Sequence, residues 1–260
     1  MQHADFETIA YITGLHVYKK QIGEFVLPEK LQEFLDNPEQ NQYDHLVSLG
    51  KNFILRHNLF TYLDTDFAHI KNHYANPVPK VLYTTHPIDF LFKQPTVAII
   101  GTRRIPINLY NRIYLTFLRL FKILKHLGFS LVTGDAHGVD SLVTNAAKLF
   151  DIPVVTVKPT LDLSKPQSQS SKIILSEYPA VHSQYLRYAL LLRNRVISFL
   201  GDFTICALAP YRSGSRYGLV HTFMANKPNY VFLFSDTPNF NNLGNHLHAL
   251  AKIARKYHVA

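Results

Sequence analysis

The chain has 260 residues, 47% of them hydrophobic, one cysteine and a net charge of +9. That apolar share is enough for a packed core and excludes a globally disordered chain, and a lone cysteine excludes an internal disulfide or a Cys-rich metal site. Residues 1–95 hold 8 Lys and Arg against 11 Asp and Glu, whereas residues 96–260 hold 19 against 7, a net of +12; this asymmetry points to a polyanionic partner, nucleic acid first.

Residues 1–76 read as a small helical domain. Phe6, Ile9, Ala10 and Ile12 start one apolar face. Leu27 to Leu35 reads as a short helix with Pro28 in its first turn and acids early. Asp36 to Asn41 is a linker, and Tyr43 to Asn58 carries Leu46, Leu49, Phe53 and Ile54 at helical spacing. His45 and His57 read as surface or half-buried residues and not as metal ligands. Asn76-Pro77-Val78-Pro79 marks a boundary. Residues 77–240 then read as an α/β domain with a mostly parallel sheet. Val81-Leu82-Tyr83 is a short strand leading into it.

Thr96 to Ile100 is a β-branched apolar run, as a strand buried on both faces should be. Asn108 to Leu127 is an amphipathic helix with Leu109, Ile113, Phe117, Leu120, Phe121 and Leu124 on one side. Phe129 to Val132 is the next strand, so the unit is strand–helix–strand with a right-handed crossover. Val139 to Phe150 is helical, Ile152 to Val157 a strand, and Lys158 to Ser171 a polar loop. Ile173 to Leu175 is a strand, Tyr185 to Leu200 a helix and Phe203 to Leu208 a strand. Ser213 to Ala225 is a helix and Tyr230 to Phe234 a strand. Strands alternating with helices predict an α/β parallel sheet. Residues 241–260 form a last helix with Leu243, Leu247, Leu250, Ile253 and Tyr257 in a stripe. No signal peptide is expected, and no run of about 18 apolar residues predicts a membrane span. A cytoplasmic protein without a membrane partner is the expectation.

Several turns carry chemistry. Gly101-Thr102-Arg103-Arg104 follows a strand directly. Gly101 allows a close backbone approach, and Arg103 can fork two N–H bonds onto a phosphate; the plainer alternative is a tight turn with its arginines in solvent. Thr133-Gly134-Asp135-Ala136-His137-Gly138-Val139-Asp140 is a second such turn. Gly134 and Gly138 can expose backbone N–H groups, His137 can touch a phosphate or a base, and Asp140 reads as a helix N-cap before it reads as chemistry. Two Gly turns at neighbouring strand ends make an anion site. Arg187, Arg193, Asn194 and Arg195 form a basic patch on one helix. Arg193 and Arg195 are two apart and point in different directions, so one can face a ligand while the other anchors the helix or pairs with an acid. Ser213-Gly214-Ser215-Arg216 is a further Gly turn, for phosphate or for ordinary capping.

Catalytic and cofactor signatures are missing. There is no Gly-x-Ser-x-Gly elbow, no Gly-Lys-Ser/Thr loop, no Gly-x-Gly-x-x-Gly dinucleotide fingerprint and no metal-ligand spacing. No catalytic residue, cofactor or metal is expected, and Cys206 reads as a buried small hydrophobe.

The motifs taken in order resemble the DNA-processing protein A (DprA/Smf) family. Val97-Ala98-Ile99-Ile100-Gly101-Thr102-Arg103 is similar to its opening signature. Leu131 to Asp140 resembles its Ser-Gly-x-Ala-x-Gly-Ile-Asp block. Leu175-Ser176-Glu177-Tyr178-Pro179, Arg193-Asn194-Arg195-Val196-Ile197, Ser213-Gly214-Ser215 and Pro79 to Tyr83 also match. The likeness spans roughly residues 60–235. It implies an extended Rossmann fold, single-stranded DNA bound in a basic pocket, a homodimer, and help in loading the RecA recombinase during recombination and natural transformation, without catalysis. It implies DNA-binding roles for Gly101, Thr102, Arg103, Arg104, Gly134, His137, Gly138, Arg187, Arg193, Arg195, Ser213, Gly214 and Ser215.

The chain departs from the family at Leu190, where a base-stacking Phe is usual, and at Arg216-Tyr217-Gly218-Leu219, where apolar-apolar-Thr-Ala is expected. The usual Pro-Gly after the last strand is replaced near Ser235 and Asp236. A divergent member lacking the C-terminal winged-helix-like domain is expected. The competing reading is a related Rossmann-like protein that binds a nucleotide-derived ligand or hydrolyses an N-glycosidic bond. There the Gly turns would cradle one phosphate and Glu177 or Asp140 would supply a carboxylate.

Overall fold

The structure is a computed structural model and describes residues 3–38, 40–66, 78–134, 136–161, 163, 173–208 and 214–232. The helix expected at 241–260 lies outside the described residues, as do Asp135 and Ser213. In chain order the elements are α1 (His3–Gln21), α2 (Pro28–Asp36), α3 (Gln40–His57), β1 (Phe60–Leu63), β2 (Val81–Thr84) and β3 (Thr96–Gly101). Then come α4 (Ile107–His126), β4 (Ser130–Thr133), α5 (Val139–Lys148), β5 (Val154–Val157) and β6 (Ile173–Ser176). The last are α6 (Leu186–Leu200), β7 (Phe203–Ala207), α7 (Ser215–Met224) and β8 (Asn229–Phe232). The described residues up to Pro87 and those of 158–196 cluster as one unit; those of 88–157 and from Ile197 onward cluster as a second.

In the first unit α1 and α3 touch backbone to backbone. A Cβ on Gly14 would overlap the Leu46 carbonyl, and one on Gly50 would overlap that of Ala10. Ile9, Ile12 and Leu15 of α1 share a core with Leu46, Val47 and Ile54 of α3 and with Val81 and Tyr83 of β2. Inside this core the Thr13 hydroxyl donates to the Ile9 carbonyl at 2.6 Å. Its oxygen therefore accepts the Tyr83 hydroxyl at 2.9 Å. β1 pairs antiparallel with β2, and β2 antiparallel with β6. β1 falls within the stretch expected to be helical. Its four residues show no period that would mark a strand, and pairing with β2 decides their conformation.

Among the described residues the second unit holds five strands in the order β5-β4-β3-β7-β8, and these pair parallel. Helices cover both faces. Val97, Ile99, Leu131, Phe203 and Ile205 meet Ile113, Phe117, Phe121 and Leu124 of α4 and Val139, Leu142 and Val143 of α5. On the other face α7 comes so close to β3 that a Cβ on Gly218 would lie 2.7 Å from Ile100 Cδ1. The Ser198 hydroxyl donates to the Gly218 carbonyl at 2.8 Å, tying the end of α6 to α7. Lys227 Nζ donates to the carbonyls of Ser198, Phe199 and Gly201 at 3.2, 2.6 and 2.8 Å, closing the open end of α6. This is the α/β fold with a parallel sheet that the strand–helix alternation predicts. Among the described residues no helix is long and apolar enough to cross a membrane.

Candidate nucleic-acid interface

The strand order places a topological switch point between β3 and β7. From β3 the chain runs one way to β4 and β5, and β7 and β8 lie on the other side. Such a reversal opens a crevice at the carboxyl ends of the strands, where ligands of doubly wound sheets sit. Gly101 ends β3 there, opposite Ala207 of β7. A Cβ on Gly101 would overlap the Ala207 carbonyl and reach within 2.6 Å of Val139 Cγ2.

The turn after Gly101 is held by its own threonine. Thr102, 7% exposed, donates its hydroxyl hydrogen to the Arg104 carbonyl at 3.1 Å and accepts the Arg104 N–H at 3.2 Å. With the backbone closed in this way, Arg103 and Arg104 both extend into solvent. The second Gly turn meets the first directly. The Val139 N–H, at the start of α5, donates to the Thr102 carbonyl at 3.1 Å. Gly138 caps α5 at φ 82°, a left-handed value that suits glycine. A Cβ at Gly138 would overlap the Thr102 carbonyl and lie 2.7 Å from the backbone of Arg103. His137 is exposed beside it, and Gly134 is buried. The two turns are thus one structure, with Arg103, Arg104 and His137 on its open side.

Asp140 departs from its expected role. The N-cap is Gly138, which has no side chain to cap with, and Asp140 sits in the first turn of α5. Its carboxylate accepts the Ala136 N–H at 3.1 Å, while the Ser141 hydroxyl donates to the Ala136 carbonyl at 2.9 Å. Together they fasten the loop before the helix. A carboxylate near a helix N-terminus also complements the helix dipole.

The turn before α7 contributes less. Gly214 is its exposed N-cap, with open space around it. Ser215 is buried and hydrogen-bonds the Cys206 side chain. Burial pushes the Cys206 thiol up to about 11, with the Ser215 bond opposing. Cys206 is therefore a protonated core residue, as expected. Leu208, just past β7, is held at φ 63°. Among the described residues the other non-glycine positions at positive φ are Asn and Asp, which tolerate it; a leucine there stores strain of about 1–2 kcal/mol. Among the described residues no group of three or more His, Cys, Asp or Glu gathers to hold a metal ion.

The basic helix α6 belongs to the first unit through Val196. Of its three expected arginines, Arg187 is exposed, whereas Arg193 and Arg195 are 7% and 2% exposed. Arg195 forms an ion pair with Glu177 at 2.5 Å. That pair also occupies the carboxylate considered for hydrolysis. Leu190 is half-buried. An aromatic cluster in the same unit centres on Phe25, whose ring lies 4.9, 5.5 and 5.9 Å from those of Tyr178, Tyr185 and Tyr188. Phe25 precedes α2 in an irregular segment, so no periodicity in the sequence signals its place there.

The family model of DNA recombination-mediator protein A matches residues 58–256. No curated protein matches the chain. Among solved structures, DNA processing protein A from Helicobacter pylori, studied for its single-stranded DNA binding mode, is 25% identical. It covers 75% of this chain and 96% of its own length, with a TM-score of 0.56. DNA processing protein A from Streptococcus pneumoniae is 18% identical, covers 97% of this chain and 93% of its own, and gives a TM-score of 0.60. The switch-point crevice with its fused Gly turns, the ordered motifs and a match over residues 58–256 agree: this chain belongs to the DNA recombination-mediator protein A family.

Proposed function

We propose that this chain binds single-stranded DNA at the fused turns of the β3–β7 crevice and serves recombination without catalysing a reaction. One observation carries the reading. The Thr102 carbonyl takes the first N–H of α5, which joins two Gly turns into one surface and leaves Arg103, Arg104 and His137 facing outward. Guanidinium groups beside a helix N-terminus suit phosphate oxygens. The Helicobacter pylori relative binds single-stranded DNA, and the net of +12 over residues 96–260 supports the same ligand here. On the first unit, exposed Arg187 is the residue of α6 proposed to meet a DNA phosphate, while Arg195 positions the motif around Glu177. A homodimer, a handover to the RecA recombinase, a role in natural transformation and a cytoplasmic setting complete the proposal, supported by family membership.

The test is fluorescence anisotropy of a labelled oligonucleotide, single-stranded against duplex, over a salt series. The expected result is preference for the single strand, with log K falling by about 0.7 per phosphate neutralised for each unit of log salt. Affinity independent of salt, or equal for duplex, would overturn the proposal.

A further inference from the structure

We propose that the exposed flank of α4 is a base-stacking subsite for single-stranded DNA, with Tyr110 as its platform and Ile107 and Tyr114 on either side. The inference rests on the DNA reading above and extends it to a helix that reading leaves unused.

Ile107 opens α4 only three residues after Arg104, and it is 96% exposed. One turn further on, Tyr110 is 47% exposed. A second turn brings Tyr114, half-buried against the core. Helical geometry sets these residues on one flank at about 5.4 Å per turn. The buried face of the same helix is Ile113, Phe117, Leu120, Phe121 and Leu124. Folding therefore makes little use of Ile107 or of the outer half of Tyr110. The two tyrosine rings are nearly parallel, at 15°, with centroids 6.5 Å apart. Tyr114, seated on the core, fixes the direction of the more exposed ring.

The occupant follows from what adjoins this flank. An apolar and aromatic strip running directly on from two solvent-facing arginines matches a chain of phosphates that also carries flat apolar faces. Arg103 and Arg104 hold the backbone, and the strand continues along α4 with its bases turned onto the tyrosines. Every base has such a face, so the subsite tolerates any sequence.

The experiment compares oligothymidylates of about 6 and about 16 nucleotides, lengths within the usual range of single-strand sites, on the wild type and on Tyr110→Ala, Tyr110→Phe and Arg103→Ala. Tyr110→Ala should weaken binding of the longer strand by about 5- to 150-fold, more than that of the shorter one. Its salt slope should match the wild type, because no charge is removed. Tyr110→Phe should bind like the wild type, and neither change should alter the thermal midpoint. The sequence contains no tryptophan, so Tyr110→Trp supplies a single reporter, whose fluorescence should be quenched when a base stacks on it.

Failure of the wild type to bind any oligonucleotide would overturn the DNA reading and this subsite with it. Wild-type binding weakened by Arg103→Ala but untouched by Tyr110→Ala would overturn the subsite alone. So would a Tyr110→Ala protein whose sedimenting mass changes while its DNA affinity does not, which assigns the flank to a protein contact. An indole at position 110 that stays bright under saturating DNA also overturns it.

Discussion

Arg195 and Glu177 form an ion pair at 2.5 Å, with only 3% and 8% of their side chains exposed. The pair joins two sequence motifs, Leu-Ser-Glu-Tyr-Pro at 175–179 and Arg-Asn-Arg at 193–195. The first motif is itself pinned, since the Tyr178 N–H donates to the Ser176 hydroxyl at 3.1 Å. Removing one partner of a buried pair leaves a charge in a low-dielectric interior and costs about 3–5 kcal/mol. Arg195→Ala and Glu177→Ala should each lose about that much in urea denaturation. The double variant should lose less than the two together, because neither charge is then stranded. Additive losses would mean that the pair contributes no coupling.

Gly138 is the position where the two Gly turns depend on having no side chain. Its φ of 82° already disfavours any other residue, and a Cβ would overlap the Thr102 carbonyl. Gly138→Ala should cost about 1–3 kcal/mol from the backbone conformation alone. It should also push the Arg103 turn away from α5. The expected outcome is a lower thermal midpoint together with weaker oligonucleotide binding. Wild-type affinity in a folded Gly138→Ala protein would uncouple the turns from the ligand.

Much of this architecture was legible because the parallel strands are short unbroken apolar runs and α4 and α5 keep a helical period. Thr96 to Ile100 and Phe203 to Leu208 needed no tertiary information. β1 did, because Phe60–Leu63 becomes a strand only by pairing with β2. Gly101, Arg103 and Gly138 were visible as turn chemistry at strand ends. The role of Asp140 was not, since the helix begins one residue before it and the cap falls to Gly138. The spacing of Arg193 and Arg195 left open which of them pairs with an acid, because sequence records charge and not burial; the acid that pairs with Arg195 lies 18 residues away.

His16 should make the protein acid-sensitive. It is buried in the first unit, with its ring edge-on to Tyr178 at 5.1 Å. Burial lowers its pKa from 6.5 to about 4. The folded state therefore keeps it neutral, while the unfolded chain binds a proton near pH 6.5. Stability is unaffected above that pH, falls as pH drops through the window to about 4, and levels off below. At about 1.36 kcal/mol per unit the full loss is about 3 kcal/mol. His16→Phe keeps a ring against Tyr178 and removes the titration. Urea denaturation at neutral and acid pH should show a smaller acid loss in the variant than in the wild type. Equal losses would place the acid sensitivity in other groups.

Arg103 and Arg187 separate binding from folding. Both are exposed, so replacing either removes charge from the surface without opening a cavity, and surface changes of this kind usually stay within about 0.5 kcal/mol of stability. Each should instead reduce DNA affinity with an unchanged thermal midpoint. If one guanidinium meets one phosphate, the slope of log K against log salt should become shallower by about 0.7 in either single variant. The double variant should lose about twice that if each arginine meets its own phosphate. An unchanged slope in Arg187→Ala beside a reduced one in Arg103→Ala would restrict the interface to the crevice between β3 and β7. The reverse pattern would move it to α6. Gel-shift titrations at three salt concentrations distinguish these cases, because the slope counts phosphates whatever the absolute affinity.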